Sequence, residues 1–217
     1  MDMMAIRRRV LMASKKKRLP SEYQEVEYIE STGTQWIDTG LVGNISREWT
    51  VEFSDFDRNG ITYAGPFGIT WNNAKTAFSC SNTTSVYCSF GNKTDVVYHE
   101  SVESYRAWAT SDIKKISISK NGVYRNDVQR ISAFTGLTYA ESVITMPLFA
   151  RKPNANTVDR LVKMKLYSFV CKEEGINVGD FVPCYRKSDG EIGLYDTVSK
   201  TFFTNQGTGT FLKGAST

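Results

Sequence analysis

Imidazole chemistry in this chain can draw on one residue, His99. A histidine-rich zinc site is excluded, and any Ser-His-Asp or Cys-His pair would have to be built on His99. The four cysteines, Cys80, Cys88, Cys171 and Cys184, contain no CxxC, so zinc-ribbon spacing is absent. Cys80 and Cys88 could pair across neighbouring strands. Nothing marks an oxidising compartment, however, and free, mostly buried thiols are the expectation. The sequons at Asn44, Asn82 and Asn92 are then chance matches without a glycan. Glu25, Glu27 and Glu30 form E-x-E-x-x-E. Alternate carboxylates of one strand can cleave a glycosidic bond when the two main carboxyls lie ~5–5.5 Å apart. The plainer reading is one apolar face, Val26 and Tyr28, and one acidic face, on an edge strand whose charges discourage stray pairing.

Asp189, Glu191 and Asp196 are the only acids near enough in sequence to suggest calcium, which needs six to eight oxygens. Ser188-Asp189-Gly190 reads better as a turn, with Gly supplying positive φ and Asp bonding to backbone. Gly207-Thr208-Gly209-Thr210 lacks the Lys and the helix of a phosphate loop and reads as a tight turn. No metal and no cofactor are expected. The aromatics carry more. Tyr63, Phe67, Trp71, Tyr87, Tyr98 and Trp108 fall in or beside turn-rich segments. Sugars bind through aromatic faces packed on C–H surfaces together with side-chain amides, and Trp71-Asn72-Asn73 supplies both within three residues. Tyr63, Trp71, Asn72, Asn73, Tyr87 and Asn92 form the candidate glycan-binding set. The competing use of such rings is to fill a core, which is the expectation for Trp36 and Trp49.

Charge is segregated. Arg7, Arg8, Arg9, Lys15, Lys16, Lys17 and Arg18 face only Asp2 within residues 1–18, a net of +6. The whole chain carries +4, so the remaining 199 residues sum to −2. A nucleic-acid-binding surface on the body is thereby disfavoured. Residues 1–20 read as a basic arm ending at Leu19-Pro20, because proline holds the preceding residue extended. Ile6, Val10, Leu11 and Met12 between the basic clusters favour docking into a partner's groove. The apolar stretch from Val10 to Ala13 is too short for a signal-peptide core. No apolar run is long enough to span a bilayer as a helix.

The elements that must position these residues are short strands. Trp49 to Phe53 alternates apolar and polar residues, as do Lys114 to Lys120 and Val162 to Val170. In the last of these Val162, Met164, Leu166 and Val170 should face the core. Asn121-Gly122 between extended runs predicts a hairpin with a type I′ turn, both central residues at positive φ. Tyr98, Val102, Tyr105 and Ala109 have helical spacing and predict one short helix. Many short strands separated by turn clusters, in about 200 residues, predict one all-β sandwich or barrel.

Two stretches add a resemblance. Leu19 to Gly40 reads LPSEYQEVEYIESTGTQWIDTG, and Phe181 to Asp196 reads FVPCYRKSDGEIGLYD, continuing as FFTNQGTGTF from Phe202 to Phe211. They resemble the opening and closing signatures of LamG-like, concanavalin-A-like jelly-roll proteins encoded by phages and prophages of gut bacteria. Ile116–Val123 and Leu148–Phe169 resemble the central hairpin and late strands of that fold. The resemblance implies a two-sheet antiparallel jelly-roll sandwich over residues 21–217, preceded by the extended basic arm of residues 1–20. It further implies a virion structural protein, as a fibre, decoration or tail component, displayed at the virion surface. The arm would bind other virion proteins of the capsid or tail, and the sandwich would bind host-surface glycans without membrane insertion. A homo-oligomer is expected by the same analogy. A free-standing lectin-like module is the alternative. A glucanase using Glu25, Glu27 and Glu30 is a third reading: the acidic motif resembles the E-x-D-x-x-E of concanavalin-A-like endoglucanases, with its middle Asp replaced by a longer Glu.

Overall fold

The structure, a computed structural model, describes residues 19–81, 83–102 and 104–217. The basic residues Arg7, Arg8, Arg9, Lys15, Lys16, Lys17 and Arg18, and the sequon at Asn82, lie outside the described residues.

The chain opens with β1 (Tyr23–Glu25), β2 (Ile29–Thr32), β3 (Ile37–Val42) and β4 (Arg47–Asp57). Next come β5 (Gly68–Ile69), β6 (Lys75–Cys80), β7 (Ser85–Gly91), β8 (Lys93–His99) and the helix α1 (Ser104–Trp108). The hairpin β9 (Lys114–Ser119) and β10 (Gly122–Arg125) leads to β11 (Val128–Ile131), β12 (Thr145–Leu148), β13 (Arg151–Asn154) and β14 (Thr157–Asp159). The chain closes with β15 (Lys163–Glu173), β16 (Ile176–Arg186), β17 (Ile192–Asp196), β18 (Thr201–Thr204) and β19 (Leu212–Lys213).

These strands form an all-β sandwich. The larger sheet runs β11-β10-β9-β4-β15-β16-β17-β18, with β1 on β16 and β2 between β15 and β19. The smaller sheet runs β14-β13-β5-β6-β7-β8, and the β12-β3 pair adjoins it through a Phe67–Leu148 bridge. Among the described residues, pairing is antiparallel except for a single parallel contact, Lys152 with Ile69.

Alternation explains the core. Trp49, Val51 and Phe53 are buried from β4, and Ile116 and Ile118 from β9. Phe78 and Cys80 of β6, and Val86, Cys88 and Phe90 of β7, face them from the other sheet. Each such large side chain contributes about 1.5–3 kcal/mol by leaving water. The short helix delivers Trp108 between the layers, its ring 5.6 Å from that of Phe53 and 4.9 Å from that of Phe78. Phe67, Tyr98, Trp49 and Trp108 are thus core residues, whereas Trp36 is half-buried with Lys152 Nζ 5.4 Å from its ring.

Local details depart from the sequence expectations. Along Val162 and β15 the inward series is Val162, Met164, Leu166, Phe169 and Cys171, so Val170 faces outward. The register slips between Leu166 and Ser168, and such a bulge reverses the face of every later residue. The β9–β10 turn centres on Lys120-Asn121, since Ser119 pairs with Gly122. Only Gly122 has positive φ, at 115°, so this is not the expected type I′ turn. Tyr98 belongs to β8, and the helix covers only Ser104–Trp108. Leu19 already packs with Val182, Cys184 and Tyr195, which places the start of the packed chain before residue 21.

The acidic segment is not an edge. Val26 N–H donates to Pro183 on one side, and Glu27 N–H donates to Ala215 on the other. The C-terminal residues around β19 form the outer strand there. Cys80, Cys88, Cys171 and Cys184 are all free and buried. Cys88 sits opposite Phe78 and Cys80 opposite Val86, so the two thiols are diagonal neighbours rather than a directly opposed pair.

Candidate functional site

Four segments far apart in sequence meet at one end of the sandwich and enclose a groove of about 1070 Å³. They are the β3–β4 connection at 42–45, Trp71 after β5, residues 139–144 before β12, and the β13–β14 turn at 154–157. Trp71 is held by a tight turn in which Ala74 N–H donates to its carbonyl at 2.9 Å, with Asn72 at φ 41°. The indole remains 43% exposed, and Ile45 and Val143 beside it are 40% and 84% exposed. Contiguous apolar side chains exposed in a groove with polar rims are the usual character of a binding surface. Asn154, Asn156, Glu141 and Thr157 supply the polar rim.

Tyr139, which also lines the groove, is held in place by its partners. Tyr139 Oη lies 2.9 Å from Thr76 Oγ1 and donates to the Ala74 carbonyl at 3.3 Å, and its ring packs edge-on against Phe90. Burial raises the Tyr139 phenol to about 12, so it stays neutral. Gly43 permits this approach, since a Cβ there would lie 2.0 Å from Tyr139 Oη. Below the groove, Asp38, Thr145 and Lys152 tie β3, β12 and β13 together. Thr145 Oγ1 donates to Asp38 Oδ2 at 2.7 Å, and Lys152 Nζ bonds both residues. Burial alone would raise the Asp38 pKa. The bonds from Lys152, Thr145 and Gly40 N–H outweigh it and leave the carboxyl below its ordinary value.

The structure divides the sequence-predicted set. Trp71 lines the groove. Asn72 and Asn73 flank it without lining it, and the Asn73 carbonyl accepts Ala140 N–H at 3.0 Å. Tyr63 and Tyr87 sit together elsewhere, their rings edge to face at 5.2 Å in a second cleft. Asn92 belongs to neither cleft: its amide donates to the Gly136 carbonyl and accepts Thr138 N–H, bracing a loop. Sequence reasoning missed Ile45, Val143 and Asn156, because an isolated residue in a loop carries no signal of its distant neighbours.

The other candidates resolve into turns and ladders. Glu25, Glu27 and Glu30 all face away from the core and line neither cleft. Arg186 clasps the Asp189 carboxylate at 2.6 to 3.1 Å and draws its pKa down. Asp196 is buried and accepts the N–H groups of Asp180, Val198 and Ser199, which fixes the β17–β18 turn. Among the described residues no cluster of three or more metal-ligating side chains occurs. His99 is exposed, its Nδ1 3.4 Å from the hydroxyls of Thr84 and Ser85. The amide nitrogen of the Asn44 sequon is engaged by Glu173 at 2.8 Å.

No family model, no curated protein and no solved structure matches this chain.

Proposed function

We propose that this chain is a non-enzymatic virion structural protein whose sandwich, of LamG-like jelly-roll type, displays a glycan-binding groove built on Trp71. The observation that carries the glycan half is the 43% exposed indole at the mouth of a groove with amide and carboxylate rims. The virion half rests on the resemblance of the end segments and on the basic charge concentrated in residues 1–18. A pyranose ring presents an apolar C–H face and an equatorial fringe of hydroxyls. The indole takes the former, and Asn154, Asn156 and Glu141 take the latter.

The non-enzymatic reading is supported by the placement of Glu25 in β1, Glu30 in β2 and Glu27 in the bend between them, all away from either cleft. Covering the exposed part of the indole removes roughly 100 Å² of apolar surface from water, worth about 2 kcal/mol. On a glycan microarray the full chain should retain a defined set of glycans. Trp71→Ala should weaken that binding about 10- to 30-fold. Equal retention by Trp71→Ala would remove the groove from the account. Deleting residues 1–18 should abolish incorporation into particles while leaving glycan binding intact; normal incorporation of the truncated chain would refute the anchoring role.

A further inference from the structure

We infer that the second cleft, on the outer face of the six-stranded sheet, binds a carboxylate-bearing sugar residue. The inference rests on the reading of the sandwich as a glycan binder, but it names a different site and a charge class.

The cleft exists because three neighbouring strands present small residues side by side. Gly68 of β5 lies opposite Ala77 of β6, and Ala77 lies opposite Ser89 of β7. These positions alternate with Phe78, Cys88 and Phe90 of the core, so they face outward. Ala77 and Ser89 are nevertheless only 8% and 5% exposed. Long side chains rise around them and enclose about 550 Å³, within the ordinary range for small-ligand sites.

One wall is aromatic: Tyr63 and Tyr87 meet edge to face at 5.2 Å, and Tyr63 is 40% exposed. Cations outnumber carboxylates in the remaining lining. Lys75, Arg151 and Arg160 line the cleft against one carboxylate, Asp95. Arg151 is held from behind by Asp159, with Nε donating to Oδ1 at 2.8 Å and Nη2 to Oδ2 at 2.5 Å. Arg160 donates to the Tyr63 carbonyl at 3.0 Å and has no carboxylate within ion-pair distance among the described residues. Burial and the nearby Arg151 charge press on the Arg160 cation, Asp159 and Asp95 offset only part of this, and its pKa falls. A bound anion relieves that repulsion. A guanidinium fork matches a planar carboxylate, and tyrosine rings match the C–H edge of the sugar that carries it. Thr70 and Pro153 line this cleft while the adjacent Trp71 and Asn154 line the groove, so the two sites stand back to back.

The test is a nuclear magnetic resonance titration of the full chain with methyl β-glucuronide, methyl sialoside, methyl β-glucoside and sodium sulfate. A carboxylated probe should shift the amides of Ala77, Ser79, Tyr87 and Ser89 and the Arg160 side-chain Nε–H. The glucoside should bind at least about tenfold more weakly, and Arg160→Gln should lose about tenfold toward the carboxylated probe. Trp71→Ala should leave this titration unchanged, which separates it from failure of the groove. The inference is overturned if neither carboxylated probe shifts these residues at millimolar concentration. It is equally overturned if the glucoside or sulfate binds as tightly, or if Trp71→Ala removes the response.

Discussion

Breaking the Asp38–Lys152 pair from either side should have unequal consequences. The Lys152 side chain is 7% exposed and that of Asp38 is 32% exposed. Asp38→Ala leaves an ammonium among β3, β12 and β13 with the Thr145 hydroxyl and the Trp36 ring as its neighbours. Orphaning a buried charge costs about 3–5 kcal/mol, and partial exposure of the pair places this case near 3. Lys152→Met leaves a carboxylate that is a third exposed and keeps its Thr145 and Gly40 donors, so it should cost only about 1 kcal/mol. In urea, with a slope of about 2 kcal/mol per molar, the midpoints should fall by about 1.5 M and 0.5 M respectively. The double variant should be more stable than Asp38→Ala alone. The pH dependence has a definite sign. The folded Asp38 pKa lies below its ordinary value of 3.8, so its contribution is complete above that value and is lost as pH falls through the folded pKa. Asp38→Ala should therefore flatten the acid limb of the stability curve. If Lys152→Met proves as costly as Asp38→Ala, the burial asymmetry does not govern this network.

Two further outcomes follow from packing. A Cβ on Gly65 would lie 1.6 Å from the Phe78 carbonyl oxygen, a backbone atom of β6 that cannot swing away. Gly65→Ala should cost at least about 2 kcal/mol by urea denaturation, and a neutral result would refute that close approach. All four thiols are buried, and burial raises Cys171 and Cys184 to about 12 and Cys80 and Cys88 upward as well. The native chain at pH 8 should resist a disulfide-exchange reagent, and all four should react once it is unfolded; fast labelling of the native state would contradict their burial.

The architecture was legible wherever burial imposed period two. Trp49 to Phe53 and Ile116 to Ile118 disclosed their inward faces because each strand packs on one side only. The reading failed at Val170, since one inserted residue at a bulge inverts the face without altering local composition. It failed at Asn121 because the Asn-Gly signal fixes a hairpin but not which pair is central. The candidate site was half legible. Trp71 in a turn-rich segment signalled an exposed ring, but the groove depends on Ile45, Val143 and Asn156, joined only by tertiary packing. Asn92 looked equally polar and available, yet its amide is consumed by Gly136 and Thr138. Tyr63 and Tyr87 were drawn into the same set as Trp71, whereas neighbouring residues part company just after β5 and at the end of β13: Thr70 and Pro153 line one cleft, Trp71 and Asn154 the other.

A structure of the full chain bound to the tightest glycan found on the array would test the central claim most directly. The account predicts a pyranose ring lying flat on the Trp71 indole, with its hydroxyls on Asn154, Asn156 or Glu141 and its glycosidic bonds intact. A sugar lodged instead against Glu25, Glu27 and Glu30, or cleaved there, would contradict it.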